Sequence, residues 1–247
     1  MSLGDGVRGV LYRELKVFSK RARKQILASS VSPLLFLVAF GWGFGWGVTM
    51  EGVPYLAFLI PGLIAMSSLN QSYGIAQEIN ISRFYFHVFD EFLIAPVSPL
   101  GIVLGEVLYG MFRGLLSAAL ILLIALPFGA PFAPSPLFVA ALLLHTFIFA
   151  SLGVALAMLV QDHAGQSAIT NFVITPMIFL GGTFFSLERL PAPLKLVVSA
   201  LPLSHSVRLI RDSFLGRPTD LWHLPVLLAF AAASFGLALH TVSRVES

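Results

Sequence analysis

PLFVAALLLHTFIFASLGVALAMLV, Pro136–Val160, decides the fold class: twenty-five consecutive residues hold no Asp, Glu, Lys or Arg. A helix crosses the hydrocarbon of a bilayer with about 20 mostly apolar residues, each rising ~1.5 Å. The apolar residues run on without strict alternation, which favours helices over the strands of a barrel. Outward from this stretch lie five more, Leu100–Leu126, Ala168–Ser186, Leu221–Val242, Pro54–Gln77 and Ser32–Val48. Charged residues are 11% of the chain and mean hydropathy is +0.89. The reading is an all-α polytopic membrane protein with six transmembrane helices. Residues 1–247 form a single transmembrane domain with no room for a soluble catalytic one.

The chain has no cysteine, which excludes disulfides, thiolate metal sites and cysteine nucleophiles. No cleavable signal peptide is expected, because about thirty residues of basic character precede the first apolar run. The formal net charge is only +3, yet seven of fifteen Lys/Arg fall in the first 24 residues: Arg8, Arg13, Lys16, Lys20, Arg21, Arg23 and Lys24. The positive-inside rule places that end in the cytoplasm, and six spans return the C-terminus, with Arg244, to the same side. The joint Leu187–Asp220 carries Arg189, Lys195, Arg208, Arg211 and Arg217 and pulls the other way. The first cluster is denser and adjoins the first span.

Residues 7–28 read as an amphipathic interfacial helix. Leu11, Leu15, Phe18, Ala22 and Ile26 share one face and most of the cations lie elsewhere, a pattern that lies in the headgroup plane of anionic lipids. A membrane span follows at once, so a nucleic-acid arm is disfavoured and no nucleic-acid partner is expected. In the first span Gly41/Gly45 and Gly43/Gly47 are small-xxx-small pairs, which suit close helix packing within one subunit or at a dimer seam. Trp42 and Trp46 read as interface anchors.

The second span is polar in its second half. Ser67, Gln71, Gly74 and Glu78 share a face beside Asn70, Ser72 and Gln77. Polar groups in a span face other helices or a wet cavity, so both interhelical hydrogen bonds and a translocation path fit. The following joint, residues 80–98, is too short and charged to span. Ser82 is expected to cap a short helix through Ile94, ended by Pro96 and Pro99. It carries Arg83, His87, Asp90 and Glu91 beside Phe84, Phe86 and Phe92, which suits docking in a partner's groove. His87, Asp90 and Glu91 read as a solvated face, so no metal is expected.

In the third span Glu106 and Arg113 stand seven residues apart on one face, a spacing read as an intramembrane charge pair ahead of a proton relay. His145 reads as hydrogen-bonded within the bundle, and Pro176 as a kink in span five. Residues 187–220 are broken by Pro191, Pro193 and Pro202 into two short helices. The first is Pro193–Leu201. The second, capped by Ser204, has Leu203, Val207, Ile210 and Phe214 on one face and His205, Arg208 and Asp212 on another. Each is about half a membrane thick, so a re-entrant outer hairpin is expected.

No Gly-x-x-x-x-Gly-Lys-Ser/Thr loop, His-Glu-x-x-His or Gly-x-Ser-x-Gly occurs. The chain is not expected to be an enzyme, and no catalytic residue is assigned.

Four motifs in order resemble the type-2 permeases of ABC exporters, in the drug-resistance and nodulation-factor branch. They are FLIPGLIAM, Phe58–Met66; LIAPVSP, Leu93–Pro99, leading into IVLGE, Ile102–Glu106; FLGGTFFSLERLP, Phe179–Pro191; and LPLSHSVRLIR, Leu201–Arg211. The resemblance implies a multi-pass subunit of a bacterial or archaeal plasma membrane, with both termini cytoplasmic. It implies a dimer, expected as a homodimer, bound to two cytoplasmic ATPase subunits that hold the ATP and Mg; this chain binds no cofactor. The coupling residues would be Arg83, Phe84, Phe86, His87, Asp90, Glu91, Phe92, Ala95 and Pro96. Ser67, Asn70, Gln71, Gln77, Thr170, Asn171 and Thr175 would line the path, and Gly41 and Gly45 the seam. The cargo would be amphipathic: lipid-like, a drug or a glycolipid. Glu106, where many members carry lysine, and the aromatic run Phe84–Phe89 depart from the family pattern. The alternatives are an ATP-independent scramblase or ion-coupled transporter using Glu78, Glu106, Arg113 and His145, and a lipid-modifying enzyme with His145 or His205 as base.

Overall fold

The computed structural model describes residues 2–45, 47–85, 97–128, 135–160 and 162–245. Helix α1, Leu3–Phe36, is capped by Ser2, whose hydroxyl accepts from Asp5 N–H at 3.2 Å, and runs on as a π-helix over Leu37–Phe44. The interfacial helix and the first span, expected as two elements, are therefore one rod. The polar residues between them do not break it, because Ser29 and Ser30 donate to the carbonyls of Ile26 and Leu27 inside the helix. The amphipathic reading survives: Phe18 is buried, and Leu11, Leu15, Ala22 and Ile26 pack around the same cluster.

A hairpin of β1, Thr49–Met50, and β2, Val53–Pro54, follows, antiparallel with Thr49 opposite Pro54. It is a short turn in a chain whose described residues are otherwise mostly helical, as an all-α protein is expected to be. Its turn residues Glu51 and Gly52 both have positive φ, 50° and 77°, which matches the twist of a two-residue hairpin turn.

Helix α2, Tyr55–Tyr73, is the central post: 16 of its 19 residues are buried. It passes through Gly74 directly into α3, Ile75–Phe84. Two long helices flank it, α4, Pro99–Ala125, capped by Ser98, and α5, Pro136–Leu159, capped by Ser135. Next come α6, His163–Ile169, a π-helical turn over Thr170–Ile174, and α7, Thr175–Leu180. The π turn lies immediately before Pro176, whose missing N–H interrupts the helical ladder. Then α8, Ala192–Ser199, and α9, Pro202–Phe214, form the short-helix segment, and α10, His223–Val245, closes the chain.

Among the described residues four helices are long and apolar enough to cross a membrane: Leu3–Gly41, Pro99–Phe128, Pro136–Leu159 and His223–Arg244. The apolar helix Ala164–Leu180 is shorter. In lipid, apolar burial gives helices little reason to associate, so close van der Waals contact must do so. Helix α4 supplies it on two sides. A Cβ on Gly105 would stand 2.6 Å from Val10 Cβ of α1, and one on Gly110 would stand 2.7 Å from Ala150 Cβ of α5.

Candidate functional site

The polar half of α2 divides into two sides that do different things. On one side Asn70, Tyr73, Gly74 and Gln77 face Gln166, Ser167, Thr170 and Asn171 across a cleft of about 250 Å³. Its back wall is a hydrogen-bond chain that leaves Asn80 Oδ1 buried without a partner among the described residues. Asn80 Nδ2 donates to Gln166 Oε1 at 3.0 Å, and Gln166 Nε2 donates to Tyr73 OH at 2.9 Å. Thr170 Oγ1 donates to Gln166 O at 2.9 Å and lies 3.4 Å from Tyr73 OH. With Tyr73, Gln166 and Thr170 partnered among themselves, the exposed amides of Asn70, Gln77 and Asn171 are left facing the open side. The cleft offers amide hydrogen bonds and has no charged side chain among its lining residues.

Four of the seven expected path residues, Asn70, Gln77, Thr170 and Asn171, thus meet here. The other three do not. Ser67 is buried and shares a 2.6 Å hydrogen bond with Ser117 of α4. Gln71 turns to α4, where its Oε1 accepts from Arg113 Nη2 at 2.8 Å. Thr175 is half-buried where the π turn ends, its N–H on Thr170 O. Tyr73 and Gln166 were missed by sequence reasoning. The available signal was a Tyr and a Gln placed one helical turn from already suspected positions, Asn70 and Thr170.

The other side of the polar half holds the charges. Arg113 Nη1 donates to Glu78 Oε1 at 2.5 Å, and Tyr109 OH to Glu78 Oε2 at 3.2 Å. Gln25 Nε2 of α1 reaches Glu78 Oε1 at 3.4 Å. The expected Glu106–Arg113 pair is corrected: the carboxylate partner of Arg113 is Glu78. Residues seven apart share a face, but α3 carries Glu78 directly across from Arg113, within hydrogen-bond distance.

Gly41 and Gly45 are likewise spent inside the chain. A Cβ on Gly41 would lie 2.6 Å from Leu56 Cδ1, and one on Gly45 2.7 Å from Tyr55 Cδ1. These contacts fit the reading of close packing within one subunit.

Ser82 does not cap a new helix; it lies inside α3, with Arg13 Nη2 at 3.5 Å from its hydroxyl. Arg83 Nη1 donates to Ala157 O at 2.8 Å. It thus satisfies a free carbonyl in the last turn of α5 and adds a cation at that helix end. Phe84 is exposed. The other expected coupling residues, Phe86, His87, Asp90, Glu91, Phe92, Ala95 and Pro96, lie outside the described residues.

On the far end of α2, Arg211 of α9 is 5% exposed. It donates through Nε to Phe58 O at 3.2 Å and through Nη2 to Gly182 O at 2.7 Å and Thr183 O at 3.3 Å, with its guanidinium 3.7 Å from the centre of the Phe58 ring. Leu203, Val207, Ile210 and Phe214 are all buried. Ser204 does not cap α9, which starts two residues earlier; its hydroxyl donates to Val198 O at 2.7 Å and ties α9 to α8. His145, fully buried, lies 2.8 Å from Ser206 Oγ and 3.0 Å from Ala65 O, a bundle contact on both ring nitrogens. Among the described residues no group of three His, Asp or Glu could hold a metal ion.

A family model described as ABC-2 type transporter matches residues 7–215. Nodulation protein J of Sinorhizobium fredii (strain NBRC 101917 / NGR234) is 31% identical over 94% of this chain and 90% of its own length. The inner membrane transport permease YadH of Escherichia coli (strain K12) is 30% identical, covering 85% of this chain and 83% of that protein. Nodulation protein J of Rhizobium leguminosarum bv. viciae is 29% identical over 90% of this chain and 88% of its own.

Proposed function

Since the chain belongs to the ABC-2 type transporter family, we propose that it is the membrane subunit of an ATP-driven exporter of the inner membrane, forming one permease domain over residues 1–247. In this reading both termini are cytoplasmic, six segments span the bilayer, and residues 187–220 re-enter it from outside. Two copies pair, and two separate ATPase subunits bind ATP and Mg. The single observation that carries the reading, beyond membership, is the cleft between α2 and the α6–α7 segment. Its amides face outward from the chain, and the exposed Phe172, Val173 and Phe179 stand on the adjoining surface. A second copy set against these apolar residues would close the cleft into a path lined by amides, suited to an amphipathic, lipid-like, drug or glycolipid cargo. ATP-driven closure of the ATPases would push residues 80–98, and the continuous α3–α2 rod would carry that push to the path.

The test is copurification from native membranes in mild detergent. A stoichiometric subunit with a phosphate-binding loop and vanadate-sensitive hydrolysis is expected. A chain that purifies without any ATP-binding subunit overturns the reading. In the assembled complex, Phe86→Ala or Glu91→Ala is expected to leave ATP hydrolysis and abolish export of a fluorescent amphiphile from vesicles.

A further inference from the structure

A cavity of about 430 Å³, larger than the cleft, opens between α1, α3 and α4. It takes no part in the proposed path. Three carboxylates lie around it, and two are engaged: Glu14 is paired with Arg13, and Glu78 with Arg113. The third, Glu106, is 2% exposed, lines the cavity, and accepts no hydrogen bond from any described residue. Burying an ionisable carboxyl without a donor is unfavourable, and Gly105 beside it lets α1 come close enough to roof the cavity. At the mouth stand Arg21 and Lys24, both exposed and without an ion pair among the described residues. The wall between is apolar, with Val17, Phe18 and Ile79.

The order of these groups along α1 is informative. Arg13 and Glu14, paired with each other, come first. Arg21 and Lys24 follow two to three turns on. After them the outward face turns apolar, with Leu27, Val31, Leu34, Leu35 and Val38 exposed. With Arg13 and Glu14 offsetting each other, the order that remains is the Glu106 carboxyl, then cations, then hydrocarbon, the complement of ammonium, then phosphate, then acyl chain. The change from charged to apolar surface also marks the level at which a lipid phosphate sits. We infer that this cavity binds a zwitterionic aminophospholipid, its primary ammonium donating to Glu106, its phosphate on Arg21 and Lys24, and its acyl chain along the exposed apolar face of α1. The lipid is resident, not cargo, and the site stands whether or not the cleft conducts.

The experiment is native mass spectrometry of the full chain in mild detergent, titrated with phosphatidylethanolamine, its mono- and dimethyl derivatives, phosphatidylcholine and phosphatidylglycerol. Retention is expected to fall stepwise with N-methylation, and about tenfold from phosphatidylethanolamine to phosphatidylcholine, the size of one charge-assisted hydrogen bond. Because this series uses the unaltered protein, it does not depend on a variant folding. Glu106→Gln is expected to erase the preference for the primary amine. The pair Arg21→Ala and Lys24→Ala is expected to weaken every phospholipid while keeping that preference. Equal retention of phosphatidylethanolamine and phosphatidylcholine overturns the inference, as does preferred phosphatidylglycerol, which would mean that the basic rim acts alone. A preference unchanged in Glu106→Gln overturns it too.

Discussion

Two arginines are buried against the α2–α3 rod, and they are held by opposite means. Arg113, 6% exposed at its side chain, has a carboxylate partner in Glu78, itself 40% exposed toward the cavity under α1. Arg211 has three backbone carbonyls and the face of Phe58. A carboxylate partner neutralises the charge but creates a second ion to satisfy. Carbonyl dipoles and a ring leave the charge formally unpaired, yet they tie together three parts of the chain, α2, the Gly182–Thr183 turn and α9. The Arg211 end of α2 is therefore built as a knot. The Arg113 end is an ion pair with solvent access through Glu78.

The contrast predicts that Arg211→Met is the most damaging single change. It strips the donor from three carbonyls, each costing ~1–3 kcal/mol when left buried and unpaired. Thermal unfolding of the detergent-purified chain should show a larger drop than Arg113→Met, Glu78→Gln or an alanine at Gly62 or Gly114 produces. A drop no greater than that of Arg113→Met would break the comparison.

Arg113→Met and Glu78→Gln should each cost less, about 1–3 kcal/mol, because the partner left behind by Arg113→Met can be solvated from the cavity. Combined, they should cost less than their sum, with a coupling of ~0.5–3 kcal/mol measured in a double-mutant cycle. Strict additivity would mean that the pair is not an interacting unit.

Two glycines sharpen the comparison. A Cβ on Gly62 would overlap Thr183 O and come within 3.1 Å of Arg211 Nη2, whereas one on Gly114 would strike Ser72 and come 3.0 Å from Ser68 O. Either alanine should destabilise by about 1–3 kcal/mol through overpacking. Only Gly62→Ala should be non-additive with Arg211→Met. If Gly114→Ala couples equally strongly, the two ends of α2 are not separate units.

The smallest effect belongs to the surface. Glu188 pairs with Lys195 on exposed side chains, and the Lys195 hydrogen bond holds its carboxyl below the ordinary 4.5. A depressed carboxyl stabilises the fold above its unfolded pKa and loses that contribution as pH falls through the folded value. Glu188→Gln should therefore matter only above the acid range, by at most ~1 kcal/mol, and less in high salt. A larger shift, or one that persists at acid pH, would give this pair more weight than its exposure allows.

Much of the site was legible in residues whose role depends on their own helix. The apolar stripe Leu11–Ile26 and the buried face Leu203–Phe214 follow from a period of 3.6, which any packing must respect. Asn70 and Asn171 were legible as polar residues in apolar segments, which have few places to go in lipid. Gly105 and Gly114 were not read. Each closes a small-xxx-small pair, Gly101/Gly105 and Gly110/Gly114, the same signal noticed at Gly41/Gly45.

The sequence by itself determined that this chain lives in a bilayer, where its apolar segments lie, and which face of its amphipathic helices is apolar. Only the tertiary structure decided that Arg113 turns to Glu78, that Gly41 and Gly45 pack against α2 of their own chain, and that Glu106 is left over beside a cavity. The physical reason is that periodicity gives a direction around one helix axis, whereas a partner is set by which other helix crosses there and at what height. That choice was made by close approaches such as Gly105 on Val10, which no single helix encodes alone.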